Sequence, residues 1–192
     1  MNHQQSATVV GLYITDAKDK PMSAVETVQA VAERGLVGDR YFLGTGTYSN
    51  LAHWGANVTL IQSEALQAVN VGHQTDFTGA MLRRNIVTAH IRLDTLIGRE
   101  FRIGSAILRG TKHFPPCARL AKLLDRREVL QYFAYCGEIG AEVVSDGVIS
   151  LHDEIVILDV PVEGERVGDL PQAELADHAF RQLDDEEQQN VP

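Results

Sequence analysis

The sequence predicts a mainly β, barrel-like fold carrying a few short helices. Three observations point there. Short apolar, β-branched runs recur along the chain. Glycine-containing turns separate them at near-regular spacing, the pattern of a barrel or sandwich. The rhythm breaks once, at Pro115-Pro116-Cys117, where the apolar spacing turns helical.

The elements follow in order. Val9 to Ile14 reads as a first strand, and Asp16 to Pro21 as a polar turn. Val25, Val28 and Val31 alternate with polar residues and favour strand over helix. Phe42 to Gly55, rich in Gly, Thr, Ser and Asn, reads as loop. Asn57 to Ile61 is a strand, followed by a short helix over Ser63 to Val69 with Ser63 expected as its cap. Arg84 to Thr88, Glu100 to Ile103 and Ala106 to Gly110 are further strands, with a turn over Asp94 to Gly98. Beyond Cys117, Leu120, Leu123, Leu124, Val129, Leu130 and Phe133 suit one or two helical segments. Gly140 to Val144 and Asp153 to Leu158 close the sheet, and Asp146-Gly147 is expected to make a hairpin turn.

The 192 residues contain 44% hydrophobic and 22% charged residues, enough for a substantial core, and divide into a body, 1–162, and an acidic tail, 163–192. The formal charge of −9 lies mostly in the tail, where nine acidic residues face two basic ones. The body is nearly neutral, so a nucleic-acid partner is not expected. The tail is read as partly helical, around Leu175, Ala179 and Leu183, or disordered. There is no long apolar run and no basic-then-apolar start, so neither a membrane span nor a signal peptide is expected. With two cysteines, the expectation is a cytoplasmic protein with reduced thiols.

Cys117 is the candidate for chemistry. The prolines before it enforce an extended approach, and the helical pattern begins just after it. A sulfur there would meet unpaired N–H groups, with Lys112, His113 and Arg119 close in sequence, and a thiolate is what sulfur transfer or metal ligation requires. Cys136 lacks these features and reads as a packing residue. The two lie 19 positions apart, which does not resemble a zinc site.

Arg83-Arg84-Asn85 reads equally as an anion clamp or as the solvated start of a strand. Gly38-Asp39-Arg40 could set a carboxylate beside a ligand or be a plain turn. His53-Trp54 could line a site or anchor its loop, and Asp153 reads as a turn residue.

In order along the chain, Gly35-Leu36-Val37-Gly38-Asp39-Arg40-Tyr41, Val58-Thr59-Leu60-Ile61, Arg83-Arg84-Asn85-Ile86, Phe101-Arg102-Ile103-Gly104, Pro116-Cys117 and Gly140-Ala141-Glu142-Val143 resemble the MOSC domain, the domain at the C-terminus of molybdenum-cofactor sulfurases. The resemblance runs from about residue 8 to residue 160 and departs at His152-Asp153-Glu154, where the family usually has Gly-Asp. It implies a barrel like that of pyruvate kinase's β-domain. It further implies that Cys117 matches the family cysteine, which carries sulfur as a persulfide or ligates molybdenum as a thiolate. Arg83, Arg84 and Asn85 would then grip the phosphate and pterin of a molybdenum cofactor, with Asp39, His113 and Arg119 beside them. The pyridoxal-phosphate domain of full-length sulfurases does not fit within this length.

Three readings follow from the resemblance. The first is a molybdenum-cofactor enzyme that reduces N-hydroxylated substrates with electrons from a donor protein. The second is a persulfide carrier fed by a sulfur donor. The third is a non-catalytic pterin-binding module.

Overall fold

The computed structural model describes residues 6–51, 54–134 and 136–161. The tail assigned to 163–192 and His53 lie outside the described residues. The elements are β1 (Thr8–Ile14), β2 (Ser23–Ala24), β3 (Thr27–Val31), β4 (Gly35–Leu36), β5 (Val58–Gln62), α1 (Ser63–His73), β6 (Ile86–Ala89), β7 (Arg99–Ile103), β8 (Ala106–His113), α2 (Ala118–Leu124), α3 (Val129–Tyr132), β9 (Ile139–Ser145), β10 (Gly147–Ser150) and β11 (Ile155–Pro161). A 3₁₀ turn spans Leu93–Leu96.

Eight strands form one sheet in the order β11-β7-β8-β9-β5-β6-β1-β2, and β10-β3-β4 form a second. The large sheet curls until β1 meets the chain entering β11. Thr8 bridges Glu154, and Ile155 N–H donates to the Ala7 carbonyl at 2.8 Å. Curling shortens the exposed edge that a flat sheet of this length would present, and leaves β11 and β2 as the end strands. The expected mainly β, barrel-like fold with short helices is what the chain adopts.

β5 and β6 pair in parallel, with α1 making the crossover between them. Both are buried on their two faces, which is why they read as unbroken apolar runs. Leu60 and Ile86 face the barrel core, with Leu12, Leu36, Phe101, Ile103, Leu108 and Val143. Ile61 and Val87 face a second cluster, where Leu66, Phe77, Leu120, Val129 and Phe133 cover the outside of the sheet. The helices therefore sit on one patch of the barrel, beside the strands that lead to Asn85 and Glu138.

Several expectations are corrected. Ser63 does not cap α1. Gln62 occupies that position without a side-chain capping bond, and the Ser63 hydroxyl bonds Glu64 instead. Asp146-Gly147 is not a hairpin turn, because β9 pairs β5 and β8 whereas β10 pairs β3. The chain crosses from one sheet to the other there. Asp146 accepts the Ala32 N–H at 2.7 Å, and Gly147 presses so closely on Ser105 and Ala106 that a Cβ would lie 2.3 Å from the Ala106 nitrogen. The strand expected from Arg84 begins only at Ile86, because Arg83 takes a left-handed φ of 59°.

Candidate functional site around Cys117

Cys117 stands where the sequence places it, at the cap position of α2 with extended dihedrals of −110° and 165°. It is half-buried, and its side chain rests against the helical cluster. α2 has only seven residues, and its fourth amide, that of Ala121, donates to the Cys117 carbonyl at 3.2 Å.

Tyr48, from the loop read as irregular, comes up to the sulfur. Burial raises its phenol pKa, and the neighbouring Cys117 thiol raises it further through charge and hydrogen bonding. The Tyr48 ring stacks on Trp54 with centroids 3.9 Å apart. Trp54 meets Phe114 edge-on at 5.7 Å, and the Lys112 ammonium lies 3.6 Å from the Trp54 ring centroid. Lys112 also donates to the Trp54 carbonyl, so its charge supports this aromatic wall. The Trp54 indole N–H is buried without a partner among the described residues. A groove of about 480 Å³ opens beside the wall, lined in part by Tyr41, Phe42, Leu43, Tyr48, Leu51 and Trp54.

Apart from His113, the other predicted site residues divide into three groups. Asp39 and Asn85 belong to a buried network. Asp39 accepts from the Thr15 amide at 3.3 Å, the Tyr41 amide at 3.1 Å, Arg40 at 3.2 Å and the Asn85 amide group at 3.0 Å. Asn85 also donates to the Tyr13 carbonyl at 3.1 Å, and its side-chain oxygen accepts from the Thr59 amide at 3.1 Å and hydroxyl at 2.9 Å. Every donor and acceptor of that amide is engaged within the protein.

Arg84 forms a second buried group with Glu138, Nη2 to Oε2 at 2.8 Å. The same Nη2 donates to the Phe114 carbonyl at 2.9 Å. Burial raises the Glu138 carboxyl pKa above its usual range, an effect that Arg84 opposes.

Arg83 and Arg119 make a third group, both reaching the turn before β2. Arg83 donates to the Lys20 carbonyl at 2.7 Å and the Ala17 carbonyl at 3.2 Å, and Arg119 pairs with Asp19. Burial and the neighbouring Arg40 lower the Arg83 pKa to about 10. His113 is exposed at the end of β8.

Glu138, Tyr48 and Asp19 were not singled out from the sequence. Tyr48 sits in a glycine- and serine-rich loop without periodicity, and Asp19 in a polar turn. Glu138 did carry a signal. It is a carboxylate immediately before the apolar run Ile139-Gly140-Ala141, a place where a charge needs a buried partner.

The fold is thus a curled, mainly β barrel domain whose candidate site is built around Cys117, at the start of α2 beside the Tyr48–Trp54 wall. The chain belongs to the MOSC domain family, whose profile matches residues 47–156. That family is associated with molybdenum-cofactor sulfurase-like functions. Among solved structures, the YUAD protein from Bacillus subtilis is similar over 80% of this chain and 96% of its own, with a TM-score of 0.65 and 18% identity. YiiM from Geobacillus stearothermophilus is similar over 92% of this chain and 85% of its own, with a TM-score of 0.60 and 14% identity. YiiM from Escherichia coli is similar over 91% of this chain and 78% of its own, with a TM-score of 0.58 and 18% identity. These likenesses concern the fold. A search of curated protein sequences returned no match. Among the described residues, no helix is long and apolar enough to cross a membrane.

Proposed function

We propose that this protein binds a molybdenum cofactor and that Cys117 is the protein's ligand to the metal. The supporting observation is the setting of the sulfur: half-buried, at a helix start, facing Tyr48, with Arg119 two residues on.

The described residues fit such a group. A thiolate is the soft donor that molybdenum accepts. Arg83 and Arg119 spend their guanidinium bonds on two main-chain carbonyls and one exposed carboxylate, partners that an anionic group can replace. Asp39, Asn85 and Arg84 act from behind, by holding the backbone that carries these groups. When bound, the cofactor would supply oxygen removal from an N-hydroxylated substrate, a two-electron, two-proton reduction that releases water. Electrons come from a separate donor protein. The protein's part is to hold the sulfur, to flank it with cations and to offer Tyr48 and Trp54 as a flat wall for substrate.

The test is elemental and pterin analysis of protein purified from a host that makes the cofactor. Near-stoichiometric molybdenum in the wild type, lost in Cys117→Ser, supports the reading. Wild-type protein free of molybdenum and pterin overturns it.

A further inference from the structure

The cofactor reading leaves two deeply buried charges, Arg84 and Glu138, without contact to any ligand. Their side chains are 4% and 1% exposed. Burying an ion pair is seldom a net source of stability, because desolvation offsets attraction. This pair is also joined at one edge only, since Arg84 Nε and Glu138 Oε1 have no partner among the described residues. Both residues instead converge on Phe114.

Arg84 Nη2 donates to the Phe114 carbonyl, and the Glu138 carbonyl accepts the Phe114 N–H at 2.9 Å. The Arg84 guanidinium also lies 5.0 Å from the Phe114 ring centroid. Both peptide groups of Phe114 are thereby pinned, one to each member of the pair. Glu138 is set in turn by Gly137, whose φ of 71° suits glycine and whose missing Cβ would come within 2.5 Å of Gln62 Oε1.

Between Phe114 and Cys117 stand only Pro115 and Pro116. Each ring locks φ, and a proline also restricts the residue before it, so this arm has little freedom to absorb movement at its base. We infer that Arg84 and Glu138 are positioning residues for Cys117, acting through the Phe114 main chain and the rigid proline arm to set where the sulfur stands. The inference rests on the reading that Cys117 is the reacting residue. It gives Arg84 a role distinct from gripping an anion.

The test measures iodoacetamide alkylation of Cys117 and Cys136 separately, by peptide mass, in cofactor-free full-length protein. Cys136, whose thiol donates to the Tyr132 carbonyl at 3.1 Å, serves as the internal reference for general loosening. The variant is Arg84→Met with Glu138→Met, which removes both charges together and leaves no lone buried ion. Losing the bond to Phe114 is expected to raise the Cys117 rate at least about five-fold, with Cys136 within about two-fold of wild type. An unchanged Cys117 rate, or a parallel rise at both cysteines, overturns the inference. If the double variant does not fold, Arg84→Lys, which keeps the charge but not the planar donor edge, is judged by the same ratio. Because no metal is involved, this result stands or falls independently of the cofactor reading.

Discussion

Asn85 and Asp39, 46 residues apart, meet in the interior with Asn85 Nδ2 donating to Asp39 Oδ2 at 3.0 Å. Both are fully buried. The bond ties the turn after β4 to the start of β6, and Thr59 on β5 completes the link. Asn85→Ala would leave donors and acceptors on Thr59, Tyr13 and Asp39 unsatisfied. It is expected to cost about 2–4 kcal/mol of stability, read from urea unfolding. A change under about 0.5 kcal/mol, combined with lost ligand binding, would make Asn85 a ligand residue instead.

Glu138 gives a pH prediction with a definite sign. Its folded pKa is raised above the ordinary 4.5, first by burial and against the pull of Arg84. An acid shifted upward contributes its full stability below its unfolded pKa. That contribution is lost as pH rises from there through the folded value. The advantage of wild type over Glu138→Gln should therefore shrink between pH 4.5 and pH 7, measured by thermal unfolding at each pH. An advantage that grows with pH would mean that attraction to Arg84 outweighs burial.

Trp54 is the only tryptophan, so its fluorescence reports on the wall beside Cys117. Tyr48→Leu removes the stacked ring and should shift the emission to longer wavelength, whereas Tyr48→Phe should not. Alkylating Cys117 should change the emission too, because the adduct meets Tyr48. Emission indifferent to both changes would separate the wall from the cysteine.

Arg119→Ala and Asp19→Ala test the surface contact over the site. The pair is exposed, so either change should alter stability by no more than about 0.5–1 kcal/mol. Arg119→Ala should nonetheless weaken binding of an anionic ligand, and Asp19→Ala should strengthen it by removing the competing carboxylate. Equal effects of the two on binding would point to a shared structural cause.

Much of this architecture was legible in the sequence. The strands read from Asn57, Glu100 and Ala106, and the helix beginning after Cys117, each announced themselves by local periodicity or by proline. What stayed hidden depends on distant partners. Asp146-Gly147 looks like a hairpin locally, but β10 is claimed by β3, more than a hundred positions earlier. Arg84 reads equally as an anion clamp or a strand entry, and its partner Glu138 lies 54 positions away, beyond any local pattern. Tyr48 carries no local signal, since a loop residue acquires meaning only from what the fold sets before it.

The most direct test of the central claim is the molybdenum content of protein made in a cofactor-competent host, wild type against Cys117→Ser, with the single tryptophan's fluorescence confirming that both are folded. Close to one molybdenum per chain in the wild type and little in the serine variant is the predicted result. Equal molybdenum in the two folded proteins, or none in the wild type, would contradict Cys117 as the ligand.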